Sequence, residues 1–133
     1  MKVRELMQTG LKTISTDALV SEAVGALTVT GVSALPVIDR FGRAVGVLST
    51  REILAAERRC QTAVDRERLF DRTLALEIMS PWPGVAHPET EVTDAAAAML
   101  NQKVQRLFVE DHGVLVGVIS QTDVVAAVAT ARI

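Results

Sequence analysis

A sequence that contains its own copy restricts the available folds more than composition does, because whatever one copy builds the other must build again. Placing Met7 on Met79, a shift of 79 − 7 = 72, brings Val20, Ala23, Ala26, Leu27, Val32, Leu35, Val37 and Asp39 onto Val92, Ala95, Ala98, Met99, Val104, Leu107, Val109 and Asp111. One residue is then lost from the second copy. At a shift of 117 − 46 = 71, Gly42, Val45, Gly46, Val47, Leu48, Ser49 and Glu52 fall on Gly113, Val116, Gly117, Val118, Ile119, Ser120 and Asp123. A gap placed in a turn is the usual way for duplicated units to diverge.

Each copy reads as short strand, helix, strand, turn, strand, helix, an α/β (α+β) class. In the first, Thr13-Ile14 is a short extended piece, and Thr16 or Asp17 is positioned to cap a helix carrying Leu19, Val20, Ala23, Val24 and Leu27 at helical spacing. Gly31 ends that helix. Leu35 to Ile38 and Ala44 to Leu48 are apolar runs of strand length around the turn Asp39-Arg40-Phe41-Gly42, which predicts an antiparallel hairpin. Ser49-Thr50-Arg51-Glu52 then opens a second helix. The second copy repeats the series with Val85-Ala86, a helix through Ala95 to Leu100, a hairpin turning at Asp111-His112-Gly113, and a helix from Ser120 to about Ala129.

About 60 residues of sheet and helix cannot cover both faces of a small sheet, so the two copies are expected to fold as a pair. With aromatics at 3% and no Tyr, the core must come from Val, Leu, Ile, Ala and Met. Between the copies, Arg58, Arg59, Arg66, Arg68 and Arg72 alternate with Glu57, Asp65, Glu67 and Asp71 around Leu69, Phe70 and Leu74, which predicts an amphipathic helical extension. The expected division is repeat 1 over 1–60, a helical connector over 61–74 and repeat 2 over 75–133.

The segment Gly31-Val-Ser-Ala-Leu-Pro-Val-Ile-Asp39 followed by Gly46-Val-Leu-Ser-Thr-Arg-Glu-Ile-Leu54 resembles the most recognisable stretch of the tandem cystathionine-β-synthase domain pair, the CBS pair or Bateman module. Val104-Gln-Arg-Leu-Phe-Val-Glu-Asp111 and Gly117-Val-Ile-Ser-Gln-Thr-Asp-Val-Val125 do the same in the second copy, and Met7 and Met79 stand where that family commonly has Met. The resemblance implies two β-α-β-β-α repeats packed with pseudo-twofold symmetry, and two clefts that take adenosine-containing ligands such as AMP, ADP, ATP or S-adenosylmethionine. It also implies assembly as a dimer.

The recurrent element is Gly, apolar, any, Ser/Thr, any, any, Asp/Asn. A Ser that begins a helix offers its hydroxyl and the first-turn N–H groups to a phosphate, and an acidic residue one turn on can accept both ribose hydroxyls. Gly117 to Asp123 matches throughout, whereas Gly46 to Glu52 ends in Glu, whose extra methylene displaces the carboxylate. The same Ser-x-x-acid pattern is also a helix capping box that needs no ligand, worth about 0.5–2 kcal/mol. For Asp123 the duplication and the family pattern favour ligand binding. For Glu52 both readings stand.

Carried over from the resemblance, the first cleft takes Thr13, Ile14, Val32, Ser33 and Ala34 with Val118, Ile119, Ser120, Thr122 and Asp123. The second, weaker one takes Val47, Leu48, Ser49, Arg51 and Glu52 with Val85, Ala86, Gln105 and Arg106. Arg51 and Arg106 match phosphate chemistry, and ordinary surface arginines explain them equally well.

Other residues point to little chemistry. His87 and His112 have no further ligand at metal spacing, and the lone Cys60 beside Arg58 and Arg59 has no recognisable base. Pro81-Trp82-Pro83 reads as a rigid turn, and Ala95 to Ala98 as a close helix approach suited to a core or a dimer contact. A formal net charge of −2 gives no pull on nucleic acid or anionic lipid, and no apolar run reaches the ~18 residues of a membrane span. Together with these exclusions, the resemblance implies a non-catalytic, cytoplasmic, homodimeric regulatory module that requires no cofactor, takes an adenosine-type ligand and acts on an unidentified regulated protein. A structural dimerisation module with vestigial clefts is the alternative, and nucleic acid and membrane are not expected as partners.

Overall fold

The structure, a computed structural model, describes residues 1–130, so the last three positions of the expected second repeat, 131–133, lie outside the described residues. Two compact units result. Lys12–Trp82 form one, and Met1–Leu11 join the residues from Pro83 onward in the other. Chain order puts the first residues with repeat 1, whereas their hydrogen bonds put them with repeat 2.

The unit of the first repeat begins with strand β1 (Ile14–Ser15) and helix α2 (Val20–Thr30), which follows a four-residue turn, α1 (Val3–Leu6), that belongs to the other unit. Hairpin strands β2 (Ala34–Ile38) and β3 (Ala44–Ser49) come next, then helices α3 (Thr50–Arg58), α4 (Ala63–Arg72) and α5 (Ala75–Ile78), and a closing strand β4 (Ser80–Pro81). The sheet order is β1-β2-β3-β4, with β1 parallel to β2 and the other pairs antiparallel. A parallel pair needs a crossover, which α2 provides.

The cap expected at Thr16 or Asp17 is not used. Helix α2 starts later, with Leu19 at the N-cap, because the Leu19 carbonyl receives the Ala23 N–H and the Thr73 carbonyl receives the Val20 N–H. Gly31 does end it, at φ 71°. The connector is helical over Ala63–Arg72, separated from α3 by a short break at Cys60 and Gln61, and it seats Leu69 in the core among Val20, Leu27, Leu35, Leu48 and Ile53.

The unit of the second repeat carries β5 (Val85–Ala86), α6 (Val92–Gln102), β6 (Arg106–Asp111), β7 (Val114–Ser120) and α7 (Gln121–Ala129). Its sheet order is β5-β6-β7, again with a parallel first pair. Duplication extends to irregularities: the hairpin register slips between Val37 and Ile38 in one sheet and between Val109 and Glu110 in the other, 109 − 37 = 72 positions apart. Where the first unit adds β4 beside β3, the second receives Gln8, bridged to Val118. Val3, fully buried, enters a core with Met99, Leu107, Val109 and Ile119.

Candidate functional site

The two Ser-helix corners are built alike. Strand β7 ends at Ser120, whose φ of −115° and ψ of 162° keep it extended, and α7 starts at the next residue. The Asp123 N–H donates to Ser120 Oγ at 3.1 Å, while Asp123 Oδ2 accepts the Ser120 N–H at 2.9 Å. This is a complete capping box. In the first repeat Glu52 Oε1 accepts the Ser49 N–H at 2.8 Å, and the Ser49 Oγ accepts the Arg51 N–H at 3.2 Å.

The difference between the corners lies in the hydroxyl proton. Ser49 Oγ donates it to Glu52 Oε1 at 2.7 Å, because the longer side chain folds back over the serine. In the second repeat Asp123 takes the Ser120 amide but not the Ser120 hydroxyl, whose proton is not spent on the carboxylate. The sequence expectation that the first-turn amides are free is met only in part. Gln121 N–H donates to the Gln105 carbonyl at 2.9 Å, as Thr50 N–H does to the Ser33 carbonyl at 3.2 Å, and Asp123 N–H is held by Ser120. Among the described residues, Thr122 N–H is left as the open donor of that corner.

Three of the residues carried over to the clefts have their side chains in the cores: Ile119 and Leu48 are fully buried in their units, and Ala86 is nearly so. Alternate residues of a strand face opposite sides, so Val118 and Ser120, or Val47 and Ser49, point away from the core that Ile119 and Leu48 fill. Val32 and Ser33 are exposed just before β2, and the register of Ala34 opposite Ser49 sets them beside the start of α3. In the other unit Gln105 and Arg106 take the matching place, with Arg106 opposite Ser120. Val85 is exposed on β5, and Arg51 and Thr122 are exposed on the first turns of α3 and α7. Thr13 and Ile14 line an open depression of about 390 Å³ together with Lys12, Asp17 and Glu22. Its two carboxylates against one ammonium make it a poor phosphate seat.

One residue at the second corner escaped the sequence reading. Gln8 donates from Nε2 to Asp123 Oδ1 at 3.2 Å, so both oxygens of this carboxylate are engaged. Gln8 sits in no periodic pattern, and only its neighbour Met7, aligned with Met79, signals the segment.

Beyond the corners, His87 and His112 both face Asp111 Oδ1, at 3.4 Å and 2.6 Å. Their geometry does not make a metal centre. His87 Nδ1 accepts the Glu89 N–H at 3.0 Å, which fixes the proton on Nε2 and takes that nitrogen away from a metal. Among the described residues no group of three or more His, Cys, Asp or Glu side chains could hold a metal ion, and no helix is long and apolar enough to cross a membrane.

With two duplicated β-α-β-β-α units and two Ser-capped corners in place, the match to known proteins decides the family. The model of the CBS domain matches residues 3–59 and 75–130. The chain belongs to the CBS domain family. In solved structures, CBSX2 of Arabidopsis thaliana in complex with AMP superposes with a TM-score of 0.82 at 29% identity, covering 99% of this chain and 98% of that one. Among curated relatives, the chloroplastic CBS domain-containing protein CBSX1 of Arabidopsis thaliana is 30% identical over 88% of this chain and 58% of its own length. Inosine-5'-monophosphate dehydrogenase of Methanocaldococcus jannaschii is 27% identical over 92% of this chain, which spans only 23% of that enzyme. The CBS repeats are thus found both in CBS-pair proteins and within a larger enzyme.

Proposed function

We propose that this CBS pair is a non-catalytic regulatory module that binds an adenosine-containing ligand, AMP, ADP, ATP or S-adenosylmethionine, with Ser120, Thr122 and Asp123 at its ribose and phosphate side. The observation that carries this reading is the corner at Ser120. It holds an extended serine with a spare hydroxyl proton, an open amide at Thr122 and a carboxylate, which together match a phosphate oxygen and a ribose diol. The 29% identical CBSX2, whose structure contains AMP, supports the ligand class. At Ser49 the folded-back Glu52 has already used the hydroxyl, which makes that corner the weaker one. Arg51, exposed on the first turn of α3, is available there to phosphate oxygens.

Regulation follows from differential affinity. A ligand that prefers one arrangement of the module biases whatever protein the module contacts. We further propose that the module works as a homodimer in the cytoplasm. Each unit leaves apolar residues in water, Val29 and Leu54 at 87% and 62% exposure in one, Leu100 and Val125 at 70% and 65% in the other. A second reading, a dimerisation module with vestigial clefts, draws on the same faces and on capping boxes that are complete without any ligand.

Mass spectrometry of small molecules released from the purified protein, followed by thermal denaturation with AMP, ADP, ATP and S-adenosylmethionine, separates the two. A ligand at 100 times its dissociation constant should stabilise the fold by about 2.7 kcal/mol. Unshifted melting with all four at millimolar concentration supports the dimerisation module instead.

A further inference from the structure

We propose that Gln8 is a specificity residue of the Asp123 corner, forming with the carboxylate a set of acceptors that selects a ribose carrying both hydroxyls. The proposal rests on the adenosine reading above. Gln8 is held in place by its backbone: its N–H donates to the Val118 carbonyl at 2.8 Å, and its carbonyl accepts the Val118 N–H at 3.0 Å. Gly117 makes that approach possible, because a Cβ there would stand 2.8 Å from the Gln8 carbonyl oxygen. The side chain then spans to Asp123, 115 positions away, with Nε2 at 3.2 Å from Oδ1.

The chemistry of the partners fixes which way the amide points. An ionised carboxylate only accepts, so the NH2 end of Gln8 must face it and the carbonyl Oε1 remains an acceptor beside it. Each carboxylate oxygen already takes one donor, from Ser120 N–H and from Gln8, and each keeps a second lone pair. The corner therefore offers lone pairs on three oxygens, which suits the two donors of a vicinal diol. A sugar without its 2'-hydroxyl leaves part of this set unpaired, and a polar site discriminates most strongly against an analogue that leaves its groups unpaired.

The other repeat lacks the device. Position 8 + 72 = 80 is Ser80, a shorter hydroxyl on the same kind of edge, and Glu52 is turned back onto Ser49. The selectivity therefore belongs to the Asp123 corner alone.

The test is calorimetry of AMP and of 2'-deoxy-AMP with the wild-type chain, with Gln8→Ala and with Asp123→Ala. Gln8 is exposed, so Gln8→Ala should melt within a few degrees of the parent. The wild type should favour AMP, and Gln8→Ala should cut that preference by about two- to tenfold, the worth of one hydrogen bond. An AMP to 2'-deoxy-AMP ratio that is the same in Gln8→Ala as in the wild type overturns the proposal while leaving the adenosine reading intact. A wild-type chain that binds neither nucleotide overturns the adenosine reading and this inference with it.

Discussion

The glycines of the repeated motif show how one missing side chain places another. A Cβ on Gly46 would meet Met79 Sδ at 2.5 Å and the Ser80 carbonyl at 2.7 Å, and one on Gly117 would meet the Gln8 carbonyl and Met7 Sδ, each at 2.8 Å. Both glycines therefore exist so that a Met-containing segment can close against the strand. Gly117→Ala is expected to destabilise the protein by about 1–3 kcal/mol, the cost of overpacking, and to pull Gln8 away from Asp123. Chemical denaturation measures the first effect, and the AMP to 2'-deoxy-AMP ratio the second. Of the residues at the corners, Ser120 and Asp123 were readable because a short-range motif specifies them. Gln8 was not, since the contact joins residues 115 positions apart and nothing local marks it. The burial of Leu48 and Ile119 was legible in principle, because strand alternation turns neighbours of Val47 and Val118 inward.

Elements end where their backbone groups find partners, and duplication shows how much latitude that leaves. Helix α2 stops at Gly31 with φ 71°, and helix α6 stops at the matching position with Lys103 at φ 57°. A left-handed conformation costs a non-glycine residue about 1–2 kcal/mol, of which glycine's extra unfolded-state freedom returns about half. Lys103→Gly should accordingly raise stability by about 0.5–1 kcal/mol by denaturant titration, and Gly31→Ala should lower it by a similar amount.

The cap of α4 has a pH signature. Asp65 accepts the Gln61 N–H at 3.0 Å and the Thr62 N–H at 3.3 Å, and these bonds hold its carboxyl below the usual carboxylate range. A group whose folded pKa is depressed contributes stability that is present above its unfolded value and lost as pH falls through the folded one. Asp65→Ala should therefore melt below the parent at pH 7, and the gap between the two melting curves should narrow as the buffer is taken through and below the ordinary aspartate range. A gap that stays constant with pH would remove the cap's charge from the account. Helix and strand identities were legible from apolar periodicity, whereas the start of α2 was not. Its N-cap is set by the carbonyl of Thr73, which lies between α4 and α5, more than 50 positions along the chain.

At the scale of the molecule, the duplicated architecture was evident from the sequence because two aligned copies predict each other. The assignment of residues 1–11 to the unit of the second repeat was not. It depends on bonds such as Val3 N–H to the Thr90 carbonyl and Lys2 Nζ to Glu91 Oε1 at 2.7 Å, made across most of the chain length. The exposed apolar residues of both units are expected to be covered by a second copy. Light scattering at micromolar concentration should give about twice 14.3 kDa, and a mass at 14.3 kDa contradicts the dimer.

The claim that the second repeat's Ser-x-x-Asp corner holds an adenosine ligand is tested most directly by calorimetric titration of AMP into the wild type, Asp123→Ala and Glu52→Ala. Loss of charge-assisted hydrogen bonds worth about 1.5–3 kcal/mol predicts saturable binding to the wild type, a ten- to 150-fold weaker constant for Asp123→Ala, and a smaller change for Glu52→Ala. Binding to Asp123→Ala as tight as to the wild type, with or without a loss in Glu52→Ala, contradicts it.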